Sequence, residues 1–427
     1  MTNPDNRENQ SLFRAVFSPR MLVSFLMGFS CGLPLLLTMT VLQAWMKEEG
    51  VDLTVIGIMS LVGLPYTVKF LWAPFLDRYT LPFLGRRRGW LLIAQILLAV
   101  SIAGLGMGNP GLHPWIIALA AFFLTFFSAS QDIVVDAYRR EDLRDEELGL
   151  GSSLYINGYR LGMLLASGGG LVMADYISFS QVYFVMSLCM IPGILTTVLC
   201  REPEVFGEKP RDLRSAVTEP LLEYFQRKNA VWILAFILFY KIGDTMALAM
   251  TTPFYLDVGF SKTEIGAVVK IFGFWATIGG SLIGGILMFR LGINRSLWVF
   301  GFLQAVSILG FAALARMGHS IPALSGVIAF ENLSGGMGTA AYAAFMASIT
   351  DKRFTATQYA LLSSLMGVPR VLAAAPTGFL AKHLGWEGFF LACTFMAIPG
   401  MLLLLKFAPW HPSDTKHNDE EKNRRKD

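Results

Sequence analysis

Nine ionisable residues fall inside long apolar runs of this sequence: Lys69, Asp132, Asp136, Arg160, Lys241, Asp244, Lys270, Glu331 and Arg370. A charge inside a bilayer is costly, and it persists where it pairs, lines water or carries function. The densest stretch runs from Ser128 to Asp136 and includes Gln131 and Asp132; a charged run, Arg139 to Glu147, follows it. At about 100° per residue, Ser128, Asp132 and Asp136 share one helix face, with Gln131 beside it. Two chemistries suit the set. A carboxylate that is desolvated in one state and beside a cation in another takes up and releases a proton. Asp132, Asp244 and Glu331 are the candidates for that role. The five cations against four carboxylates also favour an anionic ligand. Arg160 and Arg370 suit a bidentate grip on a carboxylate, and Lys69, Lys241 and Lys270 act as point charges. The plainer alternative is internal pairing: Lys241 with Asp244 at i, i+3, and Lys69 with Asp132 across helices.

Neutral partners are at hand on the same spans. Gln43, Gln131, Asn157 and Asn332 are amides that need hydrogen-bond partners if buried. Tyr159 offers an aromatic face with a polar tip. Enzyme chemistry finds little support. The four cysteines form no C-x-x-C pair, and the five histidines all fall in loops or the tail. No phosphate-binding loop is present. The expectation is therefore no enzyme, no metal and no cofactor. A net charge of +4 gives no reason to expect nucleic acid.

These residues need elements to hold them. The chain is 54% hydrophobic and only 15% charged, whereas soluble domains carry about 25% charged residues. Runs of about 20 apolar residues cross a bilayer. Twelve are expected: 21–46, 54–75, 89–108, 114–137, 151–173, 182–200, 230–253, 264–289, 296–316, 321–349, 356–380 and 388–408. The segment 201–229 is a charged linker between an N-terminal bundle (1–200) and a C-terminal bundle (230–408). A charged tail, 409–427, is expected to be disordered. No cleaved signal is expected. With the N-terminus inside, 26 of the 35 Lys and Arg residues lie on the inner side and 4 on the outer. That bias places both termini in the cytoplasm.

The halves repeat. Gly32 and Gly243, Gly57 and Gly266, and Arg160 and Arg370 are separated by about the same offset, 209 to 211 residues. This favours two six-helix bundles related by an axis along the membrane normal. The loop after the second span carries Asp77-Arg78 and then Gly85-Arg86-Arg87-Arg88; a degenerate copy, Gly285 to Arg295, has Phe289 where the aspartate would be. In these features the chain resembles the major facilitator superfamily. The resemblance implies an all-α membrane protein of twelve helices, with the first, second, fourth and fifth helices of each half lining a cavity. All nine intramembrane charges lie on such helices. It also implies a gate at the loop, for which Asp77, Arg78 and Asp136 are candidates.

A narrower likeness rests on three strings: Gly32-Leu-Pro34 with Leu42-Gln-Ala-Trp-Met46; Lys69-Phe-Leu-Trp-Ala-Pro74 with Gly85 to Leu91; and Ser128 to Ile133 with Gly158 to Met163. Together these are similar to the AmpG-type muropeptide permeases. The likeness implies proton-coupled import of anhydro-muropeptides across a bacterial inner membrane by a monomer, with muropeptide, protons and lipid as its partners. The same broader group includes acetyl-CoA carriers, so another anionic solute is the alternative.

Overall fold

The computed structural model describes residues 17–408 and 410, apart from 52–54, 56–58, 205–211, 228, 262–263, 368–372 and 374–375. Among the described residues every regular element is helical. The first half comprises α1 (Pro19–Glu48), α2 (Leu61–Leu71, continued by Ala73–Arg78), α3 (Arg86–Gly106), α4 (Pro114–Asp142), α5 (Leu148–Leu164, running on to Ala174) and α6 (Phe179–Leu199). A linker helix, α7 (Leu213–Gln226), follows. The second half comprises α8 (Ala230–Val258), α9 (Ile265–Leu291), α10 (Ile293–Met317), α11 (Ile321–Ser348), α12 (Thr355–Met366) and α13 (Thr377–Phe407).

Eight of these helices are long and apolar enough to cross a membrane by length and composition. The remaining spans are the ones the sequence loads with glycine, serine and charge: α2, α5, α11 and α12. The element Thr377–Phe407 hides a break, because Gly385 has φ 67° and ψ 168°. Only glycine adopts such backbone without strain. The residues before Gly385 finish the eleventh span, and those after it form the twelfth. The fourth span also departs from expectation. It continues as helix to Asp142, so Arg139, Arg140 and Glu141 are buried helical residues and not loop.

Backbones meet closely where glycine permits. A Cβ on Gly158 would lie 2.0 Å from the Phe25 carbonyl oxygen, and one on Gly28 would lie 2.1 Å from that of Tyr155. The small residues of the fifth span thus form a close seam against α1.

The apolar clusters define the two halves. One, built on Leu33, Leu98, Leu124 and Met186, belongs wholly to α1–α6 and α2's approach segment. Another, built on Phe254, Phe311, Leu324 and Phe390, belongs wholly to α8–α13. Both lie at the end of the molecule away from the linker. At the linker end the cores merge: Leu148 and Leu150 share a cluster with Met288 and Met337, and Ile133 and Val134 share one with Ala356 and Ala360. The halves are joined at the linker end. Large apolar side chains such as Val100, Phe123, Leu195, Trp232, Phe302 and Phe395 cover the outer faces, as expected for a chain solvated by lipid.

Candidate functional site

The site is a stack of polar layers along the interface between the halves. At the linker end lies a charged lock. Arg87 is fully buried at the start of α3; it donates to Asp77 Oδ1 (2.7 Å) and Glu141 Oε1 (2.6 Å). Arg86 donates to the same Glu141 oxygen at 2.6 Å. Asp77, at the end of α2, accepts from the other half: from the Thr357 backbone N–H (2.8 Å) and from its Oγ1 hydroxyl (2.7 Å). Thr355 Oγ1 bonds both Arg87 and Glu141. These acceptors meet the first turn of α12, where free backbone N–H groups attract a carboxylate. The linker helix braces α12 from outside: Gln358 Nε2 donates to the Pro220 carbonyl and to Glu223.

One helical turn further in, Asp136 pairs with Arg139 at 3.1 Å. Arg139 donates to the Tyr359 hydroxyl of α12 at 3.0 Å and lies 4.4 Å over the Tyr155 ring. Asp136 therefore acts across the interface through Arg139, beside the Asp77 layer. Arg78 lies 5.6 Å from the Tyr79 ring, and the arginine seen donating to Asp77 is Arg87. The reason is geometric: the chain reverses at Gly85, φ 91°, and brings α3's first turn back over α2's last. Glu141 and the α12 threonines were not singled out from sequence. Glu141 reads there as one more charge in a loop. The run of three arginines opposite it was the available signal.

Deeper again, Asp132 is buried and its Oδ1 has no hydrogen-bond partner. Lys69 is buried in the irregular turn Lys69–Leu71 and lies within electrostatic reach of Asp132 and Asp136. No ion pair closes between Lys69 and Asp132. Tyr66, Tyr155 and Tyr159 surround the carboxylate. Gln131 points elsewhere. It is fully buried, and its Nε2 lies 3.1 Å from Cys31 Sγ and 3.4 Å from Ser30 Oγ in α1. Its amide nitrogen thus packs against α1 within the N-terminal half.

The centre is built from both halves. α8 breaks at Lys241, φ −104° and ψ 5°, so its Nζ turns inward to Asp244 (3.4 Å) and Thr339 Oγ1 (3.1 Å). The pairing at i, i+3 is therefore real. Glu331 on α11 is nine-tenths buried or more, and its carboxylate accepts no hydrogen bond from described residues. Asp244, Lys241 and Arg160 all act on it electrostatically. Arg160, from α5, is half-buried and makes no ion pair or hydrogen bond among the described residues.

The other candidates are scattered. Lys270 is exposed on the π-helical turn Ile265–Phe272. Gln43 is half-buried on α1 with no hydrogen bond among described residues. Asn157 donates to Ser153's carbonyl at 2.9 Å and leaves its Oδ1 buried and unpartnered. Asn332 accepts from Thr277 Oγ1 at 2.7 Å and so ties α11 to α9. Arg370 lies outside the described residues.

Comparison with known proteins agrees with this architecture. The family model of the Major Facilitator Superfamily matches residues 21–317 and 257–427. The chain belongs to the major facilitator superfamily. As a member it is a multi-pass membrane transporter and not an enzyme. It is 46% identical over 91% of its length to the Anhydromuropeptide permease of Escherichia coli K12, covering 79% of that protein. It is 31% identical to Putative transporter AmpG 4 of Rickettsia conorii, over 90% of this chain and 96% of that one. Among solved structures it resembles the major facilitator transporter FucP in the outward conformation, with TM-score 0.70 and 13% identity over 92% of this chain and 99% of that one.

Proposed function

We propose that the protein imports anhydro-muropeptides (GlcNAc-anhydroMurNAc peptides) from periplasm to cytoplasm for peptidoglycan recycling, in symport with protons. The cation bias of the loops supports a cytoplasmic linker end, and the likeness to the Escherichia coli permease supports the bacterial inner membrane. The conformation described is then closed to the cytoplasm by the Asp77–Arg87–Glu141 lock. Substrate enters from the periplasmic side and meets Arg160 and Lys241, whose charges suit muropeptide carboxylates. Lys69, Lys270 and Gln43 add to the cationic and polar lining. A proton on Glu331 or Asp132 offsets the carboxylate left behind when a cation turns to substrate. With the central charges neutralised, the halves rock about the site and the lock opens. Asp136, through Arg139, is the second layer of that gate.

One observation carries the reading: Arg160, with no ion pair or hydrogen bond among the described residues, sits between the halves of a chain 46% identical to a muropeptide permease. The test is uptake of labelled anhydro-muropeptide in proteoliposomes, with and without an inward proton gradient, against labelled acetyl-CoA. Gradient-driven accumulation of the muropeptide is expected. Uptake of acetyl-CoA alone overturns the substrate, and uptake indifferent to the gradient overturns the coupling.

A further inference from the structure

The third and ninth spans carry no charge in their interiors, yet each buries one side-chain amide. Gln95 in α3 is 0% exposed and Gln304 in α10 is 5% exposed. They stand at matching places in the internal repeat. In both, Nε2 is buried without a hydrogen-bond partner among the described residues. Their surroundings differ. Gln95 Oε1 accepts from Thr197 Oγ1 at 2.8 Å, and its Nε2 rests near Gly193 of α6; it belongs to the packing of one half. Gln304 reaches across α11 where side chains are missing. A Cβ on Gly338 would lie 2.1 Å from Gln304 Oε1, so the amide fills the notch that glycine leaves. A Cβ on Gly335 would lie 4.0 Å from Gln304 Nε2 and 3.7 Å from Glu331 Oε1. Glu331, Gly335 and Gly338 share one face of α11. A donor without an acceptor and a carboxylate without a donor border the same notch.

We infer that Gln304 is a positioning residue for Glu331: its amide donates to the carboxylate when Glu331 is charged and releases it when Glu331 is protonated and faces the cavity. The inference rests on the reading of Glu331 as a proton carrier. The groups that face Glu331 are Asp244, Lys241 and Tyr255 from α8 and Arg160 from α5. The two cations among them are those an anionic substrate recruits. While substrate holds them, a charged Glu331 needs a donor that substrate does not occupy. Gln304 supplies one from a helix outside the cavity lining. It is neutral, so it does not compete for the substrate.

The test measures gradient-driven accumulation and gradient-free exchange of labelled anhydro-muropeptide in proteoliposomes, normalised to protein present. Glu331→Gln is expected to lose accumulation by about tenfold or more while exchange persists, as removal of a titrating group requires. Gln304→Leu is expected to lower accumulation roughly fivefold, the size of one hydrogen bond, with exchange within about twofold. Gln304→Met, unbranched and of similar length, serves if the leucine variant does not reach the membrane. Gln95→Leu should lower both activities together. Gln304 variants that accumulate normally, or lose both activities in parallel, overturn the inference while Glu331→Gln still separates them. Normal accumulation by Glu331→Gln overturns the proton reading beneath it.

Discussion

The loops after the second and eighth spans arise from one repeat and behave in opposite ways. In the first, Asp77, Arg86 and Arg87 are buried and grip Glu141 and the first turn of α12. In the second, Phe289 replaces the aspartate, Arg290 is exposed, and Arg295, among the described residues, donates to the Trp410 carbonyl at 3.2 Å. What the second copy contributes to the interface is apolar: Met288 packs on Gly149, with Ser153 donating to the Ser281 carbonyl at 2.5 Å nearby. The adjoining loop keeps its charges to itself. Asp351 pairs with Arg353 at 2.7 Å. Burial pushes the Asp351 carboxyl up, and the Arg353 hydrogen bonds and charge more than offset this, holding it below its ordinary value. The lock is thus one-sided. A gate that must open needs a contact that is strong when assembled and fully hydratable when parted, which ions satisfy and apolar packing does not.

Four substitutions probe that asymmetry. Arg87→Ala leaves Asp77 buried without its cation and Glu141 with Arg86 alone, a loss of about 3–5 kcal/mol for a broken buried pair. Uptake should fall by roughly a hundredfold or more, and cysteines placed at the linker end should become reactive without substrate. Thr357→Val removes one charge-assisted bond to Asp77 and keeps the backbone one. About 1.5–3 kcal/mol follows, read as an uptake loss of roughly ten- to a hundredfold. Tyr359→Phe deletes the hydroxyl that joins Arg139 across the halves; about 0.5–1.5 kcal/mol predicts a loss of a few fold in the same assay. Arg290→Ala, in the copy, should stay within about twofold of the parent, as an exposed substitution does. An Arg290→Ala variant as damaged as Arg87→Ala would break the comparison, and a silent Thr357→Val would move the lock to the arginine–Glu141 pair alone.

Much of this was legible beforehand. Apolar length and the Lys and Arg distribution are one-dimensional properties, so spans, repeat and the depth of each charge follow from counting. Asp77 and Asp136 were named as gate candidates, and both lie in the charged layers where the halves meet. Azimuth was less legible. Gln131 is one residue from Asp132, yet it turns 100° away into the α1 seam. Arg78 is adjacent to Asp77, yet Arg87, ten residues on, holds it after the Gly85 turn. Gln304 sits on a span with no intramembrane charge to draw notice.

The sequence by itself determined that this chain spans a membrane many times with charge held in its interior, because hydropathy and the cost of buried charge act residue by residue; its motifs, by resemblance, added the transporter family. Only the tertiary structure decided which charges meet. Asp77 finds α12 and Arg139 finds Tyr359 across an interface between distant segments. No periodicity within either segment encodes those partners, since contact between helices depends on how both bundles pack.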